Sequence, residues 1–328
     1  MMEELLRVDN LKVQFPASET FNDKLFSFKK KYVKAVDGVS FTINRGEVVA
    51  LVGESGCGKS TIGKFLVSLV QPKSGAVYYR GEDMRQKGKM RSLRKNVQYI
   101  FQDPFSSLNP RMTVKTILSR PIQIFHLCKT DEEREQRIMT LLSQVGLTHE
   151  HGLRFPHEFS GGQKQRISIA RALSVEPELI IADEPTAALD ISIQAQILKL
   201  LINLKETLDL TMLFISHDLG VVEYISDRIL VMYLGTIVET GPTKEVINNP
   251  LHPYTKALLS AVPQNPLQKK SERFRLSGNI PSTVDIPGGC RLHPRCPLAT
   301  EACRRCDVKL EEVAPGRKAA CIMIQKYK

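Results

Sequence analysis

At 328 residues with 42% hydrophobic content, the chain is long enough for one large domain plus a smaller one, each with a real core. No stretch approaches the roughly 18 to 20 apolar residues that span a bilayer, and the acidic start MMEELLRVDN is unlike a signal peptide, so a soluble, cytosolic protein is expected. The formal charge of +11 suits ATP, an anionic membrane surface or nucleic acid, and a solvated basic face equally well; it selects none of them.

Residues 5 to 52 cluster apolar residues in strand-like lengths (LLRVDNLKVQF, AVDGVSFTI, EVVALVG), which predicts a β-rich region. Between them lies the basic, aromatic-bearing segment FSFKKKYVKAV. An adenine ring needs a flat apolar partner, for which Tyr32 is the first candidate and Phe28 the second; a Tyr packed against the sheet is the plainer alternative.

GESGCGKST, from Gly53 to Thr61, then fits G-x-x-x-x-G-K-[ST] between the apolar run Val48 to Val52 and a helix-like segment, Thr61 to Leu69. Gly53, Gly56 and Gly58 allow a tight turn whose N–H groups, with those of Glu54, Ser55, Cys57 and Thr61, face a polyphosphate. Lys59 supplies a charge for the β- and γ-phosphates, and the Ser60 hydroxyl a ligand for magnesium.

SGAVYYRGEDM reads as a hairpin, followed by the basic RQKGKMRSLRK. In VQYIFQDPFSSLNPRMTV, Gln102 follows a strand-like run and precedes a loop rich in Pro, Ser and Asn, so its amide can sense a γ-phosphate or its magnesium. Residues 113 to 150 read as helices. In FPHEFSGGQKQRISIARAL, Ser160, Gly161, Gly162 and Gln163 open another helix, a second anion-ready N-terminus whose plainer reading is a Ser cap with a flexible Gly pair.

ELIIADEP reads as a buried parallel strand delivering Asp183 and Glu184 at its carboxyl end, the first to hold magnesium and the second to polarise the attacking water. Asp190 caps a long amphipathic helix. His217 follows the buried run TMLFIS, within reach of a γ-phosphate. RILVMYLG and TIVETG end the predicted core near residue 241.

Of seven cysteines, Cys57 and Cys128 stand alone, whereas Cys290, Cys296, Cys303, Cys306 and Cys321 crowd the last forty residues, which in a cytosolic chain reads as metal or redox chemistry before disulfides. From spacing alone, zinc is the default for Cys290, Cys296, Cys303 and Cys321, although paired C-x-x-C knuckles are lacking; Cys306, at C-x-x-C spacing from Cys303, is a competing ligand.

Over residues 5 to 245 the chain resembles the nucleotide-binding subunit of ABC transporters: GESGCGKS looks like Walker A, Gln102 like the Q-loop, FSGGQ like the signature, LIIADE like Walker B, AALD with Asp190 like the D-loop and His217 like the switch histidine. The resemblance implies an α/β P-loop fold with a recombinase-like core, an antiparallel β subdomain and a helical subdomain at about 105–165, together spanning 1–250, plus a small Cys-rich extension at 251–328. It also implies a head-to-tail pair with ATP between Walker A of one subunit and the signature of the other, so that Ser160 and Gly162 face the partner's nucleotide.

QDPFSSLNPRMTV, PHEFSGGQ, SIQAQIL, NPLHPYTKALLSAVP and GCRLHPRCP resemble the oligopeptide/dipeptide importer ATPases, whose relatives also serve nickel. That resemblance implies a distinct second ATPase, two permease subunits, an extracytoplasmic binding protein, a peripheral place on the cytoplasmic membrane face, and a four-iron four-sulfur cluster on Cys290, Cys296, Cys303 and Cys321. Ala187 departs from the usual D-loop Ser, and Lys164 from the usual Arg after the signature. A soluble ABC-type ATPase acting on nucleic acid is the rival reading, favoured only by the charge; no nucleic-acid partner is expected.

Overall fold

A computed structural model describes residues 3–17, 31–84, 86, 89–261 and 274–325. Phe28 lies outside the described residues. The strands are β1 (Glu4–Pro16), β2 (Tyr32–Asn44), β3 (Val48–Val52), β4 (Ser74–Tyr79), β5 (Glu82–Asp83), β6 (Val97–Ile100), β7 (Leu179–Asp183), β8 (Thr211–Ser216), β9 (Arg228–Tyr233), β10 (Thr236–Pro242), β11 (Glu311–Ala314) and β12 (Arg317–Ala319). The helices that bear on the site are α1 (Lys59–Leu66), α2 (Val114–Ile124), α3 (Asp131–Gln144), α4 (Gly161–Leu173), α5 (Ile191–Leu208) and α6 (Pro253–Ala261).

Two sheets result. One is antiparallel, in the order β2-β1-β4-β5; the expected hairpin over residues 74 to 84 is its β4–β5 edge. The other runs β11-β12-β10-β9-β3-β8-β7-β6, with β9, β3, β8, β7 and β6 mutually parallel. Its central strands read VVALV, LIIAD and TMLFIS and are buried at every position, as continuous apolar runs must be when both faces are covered.

Alternation along β3 divides the core. Val48, Ala50 and Val52 pack with the helical side, including Ile167, Leu198 and Leu142, while Val49 and Leu51 pack with α1 and the antiparallel sheet, including Ile62, Leu66, Val36 and Val8. Because the five strands are parallel, the segments after β3, β6, β7 and β8 all emerge at one edge, where an open α/β sheet binds its ligand.

The helical region follows its caps. Thr113 accepts from the Thr116 amide to start α2, Thr130 from Glu133 to start α3, and Asp190 from Ile193 to start α5. Helix α1 ends at Leu66, three residues before the expected boundary.

The expectation that the core ends near residue 241 is corrected. Strand β12 pairs antiparallel with β10 (Glu239 opposite Ala319), and β11 pairs with β12, so residues 311–319 extend the main sheet. The signal was weak because β11 and β12 are only four and three residues long and β11 is mostly exposed, leaving no apolar alternation to read. Among the described residues, no helix is long and apolar enough to cross a membrane.

Candidate functional site

The phosphate-loop segment turns at the carboxyl end of β3. Gly53 and Gly58 have φ of 152° and 110°, and a Cβ on them would lie 2.2 Å from the Met232 carbonyl oxygen and 2.1 Å from that of Ala35. Only glycine lets β9 and β2 approach so closely. Helix α1 opens at Gly58 with no side-chain cap, leaving its first amides directed at the loop. Lys59 is buried, and its Nζ donates to the Gly53 and Glu54 carbonyl oxygens at 2.7 and 3.1 Å. Cys57 is also buried, which pushes its thiol above the usual range and keeps it neutral. Ser55 and Gly56 are exposed, and Thr61 is half-buried in the first turn of α1.

Neighbouring strands bring the acidic residues to the same edge. Ser60 Oγ donates to Asp183 Oδ1 at 2.9 Å, and the buried Tyr99 hydroxyl donates to Asp183 Oδ2. Burial first, and then the Asp183 charge, raise the Tyr99 pKa, so the phenol stays a donor. Glu184 has a φ of 45°, and its amide donates to the Ile215 carbonyl oxygen at 2.9 Å. Gln102 Nε2 donates to Glu184 Oε2 at 2.9 Å, and His217 Nδ1 lies 3.3 Å from Glu184 Oε1. Walker-type loop, Gln102, Asp183, Glu184 and His217 therefore form one contiguous group.

The other sequence candidates stand apart from that group. Ser160 Oγ accepts from the Gln163 amide at 3.3 Å while Gln163 Oε1 accepts from the Ser160 amide at 3.0 Å, a reciprocal cap that opens α4. Gly162 is buried, and a Cβ there would lie 2.5 Å from Ile193 Cγ2 of α5, so it permits close helix packing; Gly161 lies against Leu189. Asp190 is exposed and capping α5. Tyr32 opens β2 with 42% of its surface exposed, three residues before the Ala35 carbonyl that lies against Gly58.

Cys290, Cys296, Cys303 and Cys321 line one small apolar cavity with His252, Leu292, Leu298 and Ile322. Burial pushes the Cys290 thiol up to about 11 and raises those of Cys296 and Cys321, with neighbouring thiols adding to the effect. Cys306 is exposed and is not part of the cavity wall. Among the described residues, no group of three or more His, Cys, Asp or Glu is placed to hold a metal ion, so neither the zinc nor the iron-sulfur expectation finds a formed metal site here.

Sequence reasoning missed Tyr99, Tyr254 and Arg295. Tyr99 carried only the signal of an aromatic three residues before Gln102. Tyr254 Oη accepts from the Glu54 amide at 2.8 Å, and the Arg295 guanidinium bonds the Glu54 carboxylate at 2.9 and 3.3 Å; nothing local in either stretch marks that role.

Two family models match separate stretches of the chain. The family described as ABC transporter matches residues 36–187, and the one described as oligopeptide/dipeptide transporter, C-terminal region, matches residues 238–303. The chain is 48% identical to the oligopeptide transport ATP-binding protein AppF of Bacillus subtilis over 97% of both chains. It belongs to the ATP-binding proteins of oligopeptide/dipeptide ABC transport. Within that family it is also 45% identical to the dipeptide transport ATP-binding protein DppF of Haemophilus influenzae, over 98% of this chain and 97% of that one. Among solved structures, the ATP-binding cassette MJ0796, in a dimeric post-hydrolysis state bound to ADP and Pi, superposes with a TM-score of 0.63 at 28% identity, covering 73% of this chain and 99% of that one. Part of the ABC transporter complex cbiONQ, cbiO1 from Clostridium perfringens, gives the same TM-score at 29% identity, covering 75% of this chain and 92% of that one.

Proposed function

We propose that this protein binds and hydrolyses MgATP to energise peptide import through a membrane ABC transporter. The observation that carries the reading is the Ser60–Asp183 and Gln102–Glu184–His217 grouping at the mouth of the glycine loop. The loop amides, α1 N-terminus and Lys59 take the β- and γ-phosphates, and Tyr32 stacks on the adenine. Lys59 then exchanges its carbonyl partners for phosphate oxygens. Magnesium, when bound, neutralises phosphate charge. Ser60 and Asp183, with Gln102, are the residues that would hold it, and a hydroxyl facing a carboxylate at 2.9 Å fits a hard cation. Glu184 orients the attacking water and accepts its proton, while His217 donates to the γ-phosphate.

The core is read as recombinase-like and the subunit as one of a head-to-tail pair with a homologous second ATPase. Ser160, Gly161, Gly162, Gln163 and Asp190 then close over the partner's nucleotide. Support comes from Ser160 being exposed, with its side chain bonded within its own helix among the described residues, and from the dimeric state of MJ0796. Two permease subunits and an extracytoplasmic binding protein complete the assembly, with this chain on the cytoplasmic membrane face. The assembled transporter should hydrolyse MgATP faster with peptide-loaded binding protein, and Ser160→Ala in every ATPase copy should cut that rate at least about tenfold. Stimulation by a nickel-loaded protein instead of peptide would reassign the solute.

We also infer that the cysteine cavity takes a four-iron four-sulfur cluster. What supports the reading is that Cys290, Cys296, Cys303 and Cys321 line one cavity, and four thiolates are the ligand set of such a cluster. Anaerobically purified protein should be brown, with iron and acid-labile sulfide in equal amounts; a colourless, iron-free protein rules the cluster out.

A further inference from the structure

Glu54, the second residue of the phosphate loop, is gripped from outside the loop at both of its polar ends. Its amide donates to Tyr254 Oη at 2.8 Å, and its carboxylate receives a fork from Arg295, Nη1 to Oε2 at 2.9 Å and Nη2 to Oε1 at 3.3 Å. The residue also faces inward, because its carbonyl oxygen accepts from Lys59 Nζ at 3.1 Å. One residue thus joins the C-terminal region to the lysine that meets the phosphates.

The grip is stiff. Tyr254 and Tyr233 are buried with ring centroids 4.6 Å apart, and the Tyr233 hydroxyl accepts from Arg295 Nη1 at 3.5 Å. Tyr233 ends β9, the strand beside β3, so the anchor and the loop stand on one sheet. Arg295 is only 9% exposed, which places its bidentate pair outside the class of surface ion pairs that contribute little. Both arms also begin at the cysteine cavity: Arg295 precedes Cys296, and the Tyr254 amide donates at 3.1 Å to Nδ1 of His252, which lines that cavity.

We propose that Arg295 and Tyr254 are positioning residues for ATP binding, a clamp by which the C-terminal region sets the shape of the phosphate loop through Glu54. The clamp rests on the reading that this loop holds the triphosphate. Loss of either arm frees Glu54 to rotate, so the loop must be ordered at the expense of binding.

Titration of the purified full chain with MgATP tests it. Arg295→Ala should raise Kd about tenfold, the scale of one lost charge-assisted bond, and Arg295→Lys, which keeps the charge and loses the fork, should recover part of the affinity. In a Glu54→Ala background, Arg295→Ala should add nothing. An unchanged Kd with only a lower melting temperature, or effects of Arg295→Ala and Glu54→Ala that simply multiply, overturns the clamp. Where Arg295→Ala does not fold, Tyr254→Phe removes one oxygen and should raise Kd severalfold; an unchanged Kd there overturns it equally. Lys59→Ala separates the two readings: retained ATP binding refutes the phosphate loop itself, whereas lost binding alongside normal affinity in Arg295→Ala refutes the clamp alone.

Discussion

Gln102 Nε2 donates to Glu184 Oε2 at 2.9 Å, so the loop after β6 is tied to the carboxylate after β7. His217 Nδ1 approaches the other oxygen to 3.3 Å. Glu184 occupies the left-handed region, φ 45°, at a cost on the order of 1–3 kcal/mol, and the bond from its amide to Ile215 helps hold it there. This backbone conformation sets one carboxylate between two polar side chains that follow different strands, Gln102 after β6 and His217 after β8. Glu184→Gln keeps the side-chain shape and removes the proton acceptor. Steady-state hydrolysis should fall on the order of a hundredfold or more, with the Kd for MgATP within a few-fold of wild type. Wild-type turnover in this variant would refute the assignment.

The glycine loop makes a sharper distinction than its motif does. Gly58 has φ 110°, and a Cβ there would meet the Ala35 carbonyl oxygen at 2.1 Å and Met232 Cε at 2.7 Å; Gly56 has φ 77° with nothing within 4 Å. Gly56→Ala should therefore cost about 1 kcal/mol of stability from backbone strain alone. Gly58→Ala adds a backbone clash, and should lower the melting temperature several degrees further and abolish MgATP binding. Equal melting losses in the two variants would show that the approach of β2 is not what demands glycine.

The residues readable from sequence were those whose role is set by local spacing. Ser60, Gln102, Asp183, Glu184 and His217 each follow an apolar run, and parallel pairing of those runs is enough to gather them. What stayed hidden depends on pairings made by folding alone. Tyr99 meets Asp183 across 84 residues and Arg295 meets Glu54 across 241, and neither is foreshadowed by any periodicity. KLEEVAPGRKAACIM looked like the tail of a separate extension because its strands are very short, and the buried positions of β12 are Arg317 and Ala319, which make no apolar run. Their place is fixed by the open edge of β10, which no local pattern reveals.

Acid should loosen the junction between the antiparallel sheet and the base of β7. Glu178 accepts from the Tyr79 hydroxyl at 2.7 Å, from Arg45 at 3.2 Å and from Arg80 Nε at 3.0 Å. Burial alone would raise its pKa, but Arg80 and Tyr79, with Arg45, outweigh burial and hold it below the ordinary 4.5. Between those two values the unfolded chain binds more protons than the folded one, so this contribution is complete above about pH 4.5 and is lost as pH falls through the lowered folded value. Melting temperatures measured from about pH 6 to pH 3 should drop more steeply for wild type than for Glu178→Gln. Parallel curves would remove Glu178 from the account of acid lability.

A deeply buried link between the C-terminal region and the main sheet is Arg317–Glu239. The Glu239 side chain is 0% exposed and that of Arg317 is 7% exposed, with Nη2 3.0 Å from Oε1. Arg317 also donates to the Asn249 carbonyl oxygen at 2.7 Å, and Glu239 accepts from the Leu251 and His252 amides at 2.9 and 2.8 Å. A carboxylate this deep needs a cation, and β12 supplies it while pairing along β10. Arg317→Ala leaves a buried, uncompensated charge and should cost about 3 kcal/mol, the lower end for a broken buried pair because the two amides remain as partners. Arg317→Met together with Glu239→Leu removes both charges and should recover much of that loss, since a buried pair contributes little over apolar packing. Urea unfolding of the three proteins measures this directly. A single variant as stable as wild type would mean that residues 311–319 lie on the sheet without holding it.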